Sequence, residues 1–239
     1  MTGSSMNGGK PSFGGRLRLR CRAVLFDLDG VLVDSMALVH RAWRWWAVSH
    51  GLDPGAVARA GRGGPAVETV RRAAPHLDAA REAQRISDYE ADAAHEVIAF
   101  PGALALLETV GGGGGLGSWG IVTSGVRRVA RGRIEVCRLP DPPVLVTADD
   151  VTKGKPDPQC YLQAATALGV DPGSCLVVED GPGGVTAARA AGMGVVAVAS
   201  TRTAGDLVDA DAVVPALTSL SVSVAEAGFV VQTAAMPTG

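Results

Sequence analysis

Short apolar runs alternating with helical stretches predict an α/β protein with a doubly wound parallel sheet and an all-helical insertion after the first strand. Two further observations support that class. The chain of 239 residues is 47% hydrophobic, yet it holds only Trp 4, Tyr 2 and Phe 4. A core so poor in rings is built from Ala, Val and Leu, which suits a parallel sheet covered by helices. From Met36 to Glu96, moreover, Ala, Arg and Glu recur at helical spacing with no strand signal.

Each element follows in chain order. Met1 to Gly15 is rich in Gly and Ser, and residues 1–20 are expected to form a disordered N-terminal segment. Arg22–Phe26 (RAVLF) reads as a buried strand that ends at Asp27. Leu38, Ala42, Trp45 and Ser49, with Trp46 beside them, place a helix over Met36–His50 that Gly51 stops. Asp53-Pro54 then supplies the cap and first-turn proline of the next helix. Pro101-Gly102 leads into a helix over Ala103–Val110, which the glycine run from Gly111 breaks. Trp119–Thr123 (WGIVT) is the second strand and Val144–Thr147 (VLVT) a third. Asp157 caps a helix with Tyr161, Leu162, Ala165 and Leu168 on its inner face, and Gly169 ends it. Ser174–Val178 (SCLVV) runs into Glu179-Asp180-Gly181, and a helix over Gly183–Ala191 precedes the strand Val195–Val198. Beyond Thr218 the pattern carries little signal. The expected division is a core of residues 21–35 and 97–239 with a helical unit of residues 36–96.

Composition excludes several classes. A net charge of −2 leaves no nucleic-acid footprint. No apolar run reaches the ~18 residues of a membrane span, and the start lacks the apolar stretch of a secretory signal. Cys21, Cys137, Cys160 and Cys175 show no CxxC spacing and read as reduced core thiols of a cytoplasmic protein.

Ligands of an open parallel sheet bind beyond the carboxyl ends of its strands. Asp27, Asp29, Thr123, Ser124, Glu179 and Asp180 stand just past those ends, and Lys155 joins them from a helix start. Carboxylates that converge without partners repel, and a divalent cation resolves the repulsion. All-oxygen ligation favours Mg²⁺, which keeps waters and takes a phosphate oxygen as a further ligand. A metal, a lysine and a hydroxyl at one point suit a phosphoryl group. Gly30 and the N–H groups after Asp27 and Thr123 add an anion nest. Singly these are ordinary features: Asp-X-Asp-Gly is a common turn, Thr-Ser-Gly a common cap, and a lone lysine usually a solvated one. Their joint occurrence, in order, at strand ends carries the inference.

Phe26-Asp27-Leu28-Asp29-Gly30-Val31-Leu32-Val33-Asp34-Ser35, Ile121-Val122-Thr123-Ser124-Gly125, Gly154-Lys155-Pro156-Asp157-Pro158 and Val178-Glu179-Asp180-Gly181-Pro182-Gly183-Gly184 resemble the four motifs of the haloacid dehalogenase-like hydrolases. Trp119–Gly125 and Val146–Val151 are similar to the sugar- and polyol-phosphate phosphatases of that superfamily, as is His40-Arg41-Ala42-Trp43 at the opening of the insertion. The resemblance covers roughly Cys21 to Thr201 and implies a Rossmann-like core with a small helical cap. It implies a small phosphate monoester as substrate, Asp27 as nucleophile and Asp29 as general acid/base. Thr123, with Ser124 beside it, and Lys155 would hold the phosphoryl group. Mg²⁺ would take the Asp27 carboxylate, the Asp29 carbonyl and Asp180, with Glu179 direct or one step removed. Arg62, in Gly61-Arg62-Gly63-Gly64 between the first cap helices, is the candidate reader of the leaving group.

Four rival readings meet specific residues. Dehalogenases lack the second aspartate, which Asp29 supplies. Phosphonatases need a cap lysine, and none lies between Met36 and Glu96. The β-phosphoglucomutase-like phosphotransferases carry a cap histidine where this chain has Val39, with His40 next door. A non-catalytic binding protein on the same scaffold would be expected to lose Asp27, Asp29, Lys155 or Asp180, and all four are present.

Overall fold

The computed structural model describes residues 17–60, 65–112 and 118–234. Strands Arg18–Cys21 (β1) and Ala23–Phe26 (β2) come first, then the two-residue strand Val33–Asp34 (β3). Helices Met36–Ser49 (α1), Pro54–Ala60 (α2), Ala66–Ala73 (α3) and Ala79–Asp92 (α4) form the insertion. Ile98–Ala99 (β4) brings the chain back by pairing antiparallel with β3. Ala103–Gly111 (α5), Ser118–Val122 (β5), Arg127–Val136 (α6), Val144–Val146 (β6), Gln159–Leu168 (α7) and Cys175–Glu179 (β7) follow. Pro182–Ala190 (α8), Gly194–Val198 (β8) and Ala212–Val214 (β9) complete the α/β alternation, and Leu220–Ala225 (β10) and Gly228–Thr233 (β11) form a closing hairpin.

The six parallel strands lie in the order β6-β5-β2-β7-β8-β9, so the chain runs outward one way from β2, then returns to fill the other side. Residues of β2 alternate between two cores. Val24 and Phe26 pack with Leu106, Leu107 and Ile134 of α5 and α6, whereas Ala23 and Leu25 pack with Tyr161, Ala165 and Val185 of α7 and α8. Full burial of such a Leu or Phe contributes about 1.5–3 kcal/mol. The insertion has a separate core of Ala42, Trp46, Val57, Val70 and Ile86. Trp46 donates its indole N–H to Glu82 at 3.0 Å, which satisfies the one polar atom of that fully buried side chain.

Three expectations are corrected, and the region past Thr218, where the sequence carries little signal, gains structure. Residues 18–20, expected in the disordered segment, belong to β1, which pairs antiparallel with β11. The signal is missing locally because the partner strand lies at the far end of the sequence. The region past Thr218 is ordered into β10 and β11, giving a three-stranded antiparallel sheet, β1-β11-β10, under α5. Gly228 makes it possible: at φ +131° a side-chain Cβ there would sit 2.2 Å from the Cys21 carbonyl. In α1 the buried stripe keeps Leu38 and Ala42 as expected but continues through Trp46 and Ala47 rather than Trp45 and Ser49, and Trp45 instead lies at the surface, stacked on Tyr89 with ring centroids 5.0 Å apart. In α7 Leu162 is exposed, and Cys160 and Ala164 take inner positions instead. Arg62 lies outside the described residues, as does most of the glycine run after α5. All four cysteines are buried and unpaired. Among the described residues no helix is long and apolar enough to cross a membrane.

Candidate active site

Sheet register explains why residues far apart in sequence meet. Phe26 stands opposite Ile121 on one side and Val178 on the other, so β2, β5 and β7 end nearly level. The next residues are therefore Asp27, Val122-Thr123 and Glu179-Asp180. Asp27 continues the ladder by donating its N–H to the Val178 carbonyl at 2.9 Å, and Thr123 does the same to Val146 at 2.9 Å. Beyond Asp27 the chain turns tightly, with Gly30 at φ +81° and its N–H bonded to Val33 O at 2.9 Å. A Cβ on Gly30 would meet Asp180 Oδ2 at 2.2 Å, so only glycine lets this loop lie against Asp180.

Lys155 is the buried cation at the centre. Its ammonium donates to Glu179 Oε1 at 2.7 Å and to the Val122 carbonyl at 3.1 Å, and it pairs with Asp27 Oδ1 at 3.2 Å. Asp27 Oδ1 also accepts the Leu28 N–H at 2.8 Å. Burial alone would lower the Lys155 pKa, but the Asp27 and Glu179 charges carry it well above the ordinary lysine value. Glu179 accepts from donors on both oxygens. Tyr161 O–H joins Lys155 on Oε1 at 3.1 Å, while the Asp180 and Gly181 N–H groups bond Oε2 at 2.7 and 2.8 Å. Burial pushes its pKa up, yet the Lys155 charge and these hydrogen bonds hold it below the usual glutamate value. A Cβ on Gly184 would sit 1.5 Å from Glu179 Oε1, so the glycine at the start of α8 makes room for this carboxylate.

The other two acids are undercompensated. Burial raises Asp27 well above the ordinary aspartate value, against the Lys155 charge and with help from Glu179, Asp180 and Asp29. Asp180 is pushed up to about 7, by burial first and the Glu179 charge next, although Thr201 O–H bonds its Oδ2. Oxygens of Asp27, Glu179 and Asp180 all lie within 4.8 Å of one another. One ammonium among three carboxylates leaves a charge deficit, and an all-oxygen cluster of this size fits a hard divalent cation.

The Asp29 carboxylate stands apart from that cluster. Its Oδ1 accepts the Ser35 hydroxyl at 2.6 Å and Arg133 Nη1 at 2.7 Å, while Thr123 Oγ1 is 3.5 Å from Oδ2. Thr123 Oγ1 also accepts the Gly125 N–H at 3.0 Å, and Ser124 beside it is half-buried. Arg133 was missed by sequence reasoning. Its signal was its place at helical spacing among Val129, Ala130, Ile134 and Cys137, an arginine on an otherwise apolar face. Arg127 and Arg128 point elsewhere, to Asp150 and to Asp88.

A family model for the haloacid dehalogenase-like hydrolases matches residues 21–192, which is more than half of the chain and takes in all of these strand ends. The chain belongs to the haloacid dehalogenase-like hydrolases. Within that family it is 42% identical over 208 residues to hexitol phosphatase A of Escherichia coli, covering 86% of this chain and 95% of that one. It is 33% identical over 219 residues to 2-deoxyglucose-6-phosphate phosphatase 1 of Saccharomyces cerevisiae, covering 83% and 89%. A β-phosphoglucomutase from Clostridium difficile superposes with a TM-score of 0.74 at 24% identity, covering 84% of this chain and 93% of that one, which shows the shared fold alone. Hydrolases of this family generally use a divalent metal, and this member carries the acidic cluster to hold one.

Proposed function

We propose that this hydrolase is a Mg²⁺-dependent phosphatase of small sugar or polyol phosphate monoesters that works through an aspartyl-phosphate at Asp27. The observation that carries the reading is the Asp27–Lys155–Asp180 constellation at the end of the central strand. Likeness to a hexitol phosphatase and a deoxyglucose-phosphate phosphatase, each over most of both chains, supports the substrate class.

Asp27, fixed by Leu28 N–H and Lys155, attacks phosphorus in line with the leaving oxygen, so the weak carboxylate nucleophile avoids a bimolecular entropy cost. As the ester P–O bond breaks, its electron pair goes to the leaving oxygen, which takes a proton from Asp29. Asp29 then takes a proton from water, whose oxygen attacks the same phosphorus. The bond to Asp27 breaks and inorganic phosphate leaves. Lys155 and Thr123 hold phosphoryl oxygens, with Ser124 alongside. The Asp27 carboxylate, the Asp29 carbonyl and Asp180 would hold Mg²⁺, which supplies positive charge against the phosphoryl oxygens. Glu179, its oxygens engaged with Lys155, Tyr161 and two backbone N–H groups, serves chiefly to hold Lys155 and Asp180 in place.

The same reading divides the chain into a core of residues 18–35 and 97–239 and a cap of residues 36–96, in a cytoplasmic enzyme. Arg62, in the sequence Gly61-Arg62-Gly63-Gly64, reads the hydroxyls of the leaving group. Phosphatase is favoured over mutase because Val39, which has no proton to transfer, stands at the position of the mutase histidine. Phosphate release from sorbitol 6-phosphate with excess Mg²⁺ tests the proposal. Asp27→Asn is expected to lose at least about a thousandfold, because an amide is a far poorer nucleophile. Activity within about tenfold of the parent would overturn the assignment.

A further inference from the structure

We propose that Arg133 is a positioning residue that claims one oxygen of Asp29 and thereby leaves Oδ2 as the oxygen that carries the catalytic proton. The inference rests on the acid/base role of Asp29 proposed above.

Arg133 is 2% exposed, and an arginine so placed is costly to desolvate unless its charge is matched. Two carboxylates match it through different nitrogens: Nη1 to Asp29 Oδ1 at 2.7 Å and Nη2 to Glu90 Oε2 at 2.6 Å. Glu90 lies on α4, the last helix of the insertion, whereas Arg133 lies on α6 of the core. A strut between those helices alone would not need Asp29, and Arg128 already joins the same pair of helices at the surface through Asp88 and Asp92. Arg133 Nε, moreover, is the only buried side-chain polar atom without a hydrogen-bond partner among the described residues. The guanidinium is thus set by the two carboxylates at the expense of its own third donor.

The consequence falls on Asp29. Its Oδ1 accepts from two donors, Ser35 O–H and Arg133 N–H, and has no room for a proton directed at a substrate. Oδ2 lies on the side of Thr123, at the end of β5, where the phosphoryl group is held. With both donors in place the carboxyl cannot rotate, so the proton is delivered from one fixed position. Without Arg133 only Ser35 remains on Oδ1, and the long contact from Thr123 on Oδ2 is the other hold on the carboxyl. Glu90 acts one step further out, by keeping the guanidinium aimed, and so ties the aim of Asp29 to a helix of the insertion.

The test compares sorbitol 6-phosphate, whose alkoxide leaves only with a proton, with p-nitrophenyl phosphate, whose nitrophenolate leaves without one. The variants are Asp29→Asn, Arg133→Met, Arg133→Lys, Arg133→Met with Glu90→Gln, and Arg133→Met with Asp29→Asn, each checked for folding by thermal melting. The pair with Glu90→Gln removes one charge of each sign and keeps a folded protein available should Arg133→Met alone unfold. Expected are a roughly ten- to hundredfold fall in kcat/KM on sorbitol 6-phosphate and a fall within about threefold on p-nitrophenyl phosphate for both Arg133→Met forms, because kcat/KM ends at loss of the leaving group and leaves out the hydrolysis step that both substrates share. Partial recovery by Arg133→Lys is expected, together with no further loss when Arg133→Met is added to Asp29→Asn. Equal falls on both substrates for the Arg133 variants, or a further tenfold loss in the Asp29→Asn background, overturn the proposal while Asp29→Asn still discriminates. If Asp29→Asn itself loses equally in kcat/KM on both substrates, the general-acid reading fails and this inference fails with it.

Discussion

Glu179→Gln separates a residue that holds the site together from one that holds the metal. The carboxylate receives four donors: the Lys155 ammonium and Tyr161 hydroxyl on Oε1, and the Asp180 and Gly181 N–H groups on Oε2. An amide of the same shape satisfies one side only. With its oxygen toward Lys155, its NH₂ faces two backbone N–H groups. Turned round, its NH₂ faces the ammonium, and only Tyr161 can rotate to accept. Either orientation leaves buried donors unpaired at about 1–3 kcal/mol each and strips Lys155 of a charge partner at 2.7 Å. Breaking a buried pair in this way costs about 3–5 kcal/mol, and the same range is expected here. Urea unfolding of the metal-free protein measures it, with Mg²⁺ titrated calorimetrically into the folded variant. The expected result is a large drop in midpoint with a Mg²⁺ affinity changed by less than about tenfold, since Asp27 and Asp180 remain. A stability loss below about 1 kcal/mol together with a Mg²⁺ affinity weakened well beyond tenfold would refute the reasoning and make Glu179 a ligand.

Gly30→Ala forces a Cβ to within 2.2 Å of Asp180 Oδ2 in a backbone with φ +81°. Calorimetry should show weakened Mg²⁺ binding and assays a matching loss of turnover, and a fully active variant would contradict the close approach. Burial pushes Cys21 up to about 12, with the Cys175 charge adding to it, and Cys175 up to about 11, with Asp171 adding. The native protein at pH 8 should therefore leave both thiols unreacted with a disulfide reagent until denaturant is added, and fast native labelling of either would count against their burial. For Glu82, burial raises the pKa, but the hydrogen bonds from Trp46, His50 and Arg85 and the Arg85 charge bring it below the ordinary glutamate value. A depressed folded-state pKa contributes stability above the unfolded value of about 4.3 and loses it as pH falls through the folded one. The gap in urea midpoint between the parent and Glu82→Gln should be full at pH 7 and shrink below about pH 4.3, and a gap that is constant down to pH 3 would contradict the linkage.

Local pattern was enough for five strands of the parallel sheet and for helices such as α1, α5, α7 and α8, because each of those strands is a short apolar run and each of those helices meets a glycine at or just past its end. By contrast, β9 and α6 carry no such signal. It was enough also to nominate Asp27, Asp29, Thr123, Lys155, Glu179 and Asp180, since residues just past strand ends share one edge of such a sheet whatever the details of packing. Register then brought Asp27 level with Glu179 and gave Lys155 its three partners, a matter of hydrogen bonds between strands some 150 residues apart along the chain. β1 escaped notice because Arg18–Cys21 alternates weakly and becomes a strand only against β11, which the sequence places more than 200 residues later. Glu179 and Arg133 show most plainly what tertiary structure alone decides. Glu179 stands in the sequence as an acid just past a strand end, and only packing gives its oxygens Lys155, Tyr161 and two backbone N–H groups as partners. An arginine in a helix of an arginine-rich chain reads as solvated until Asp29 and Glu90, 104 and 43 residues away, are found at its two ends. Sequence specifies which groups a chain possesses and which face of an element they share, whereas the partner that neutralises a buried charge is fixed only when distant elements pack.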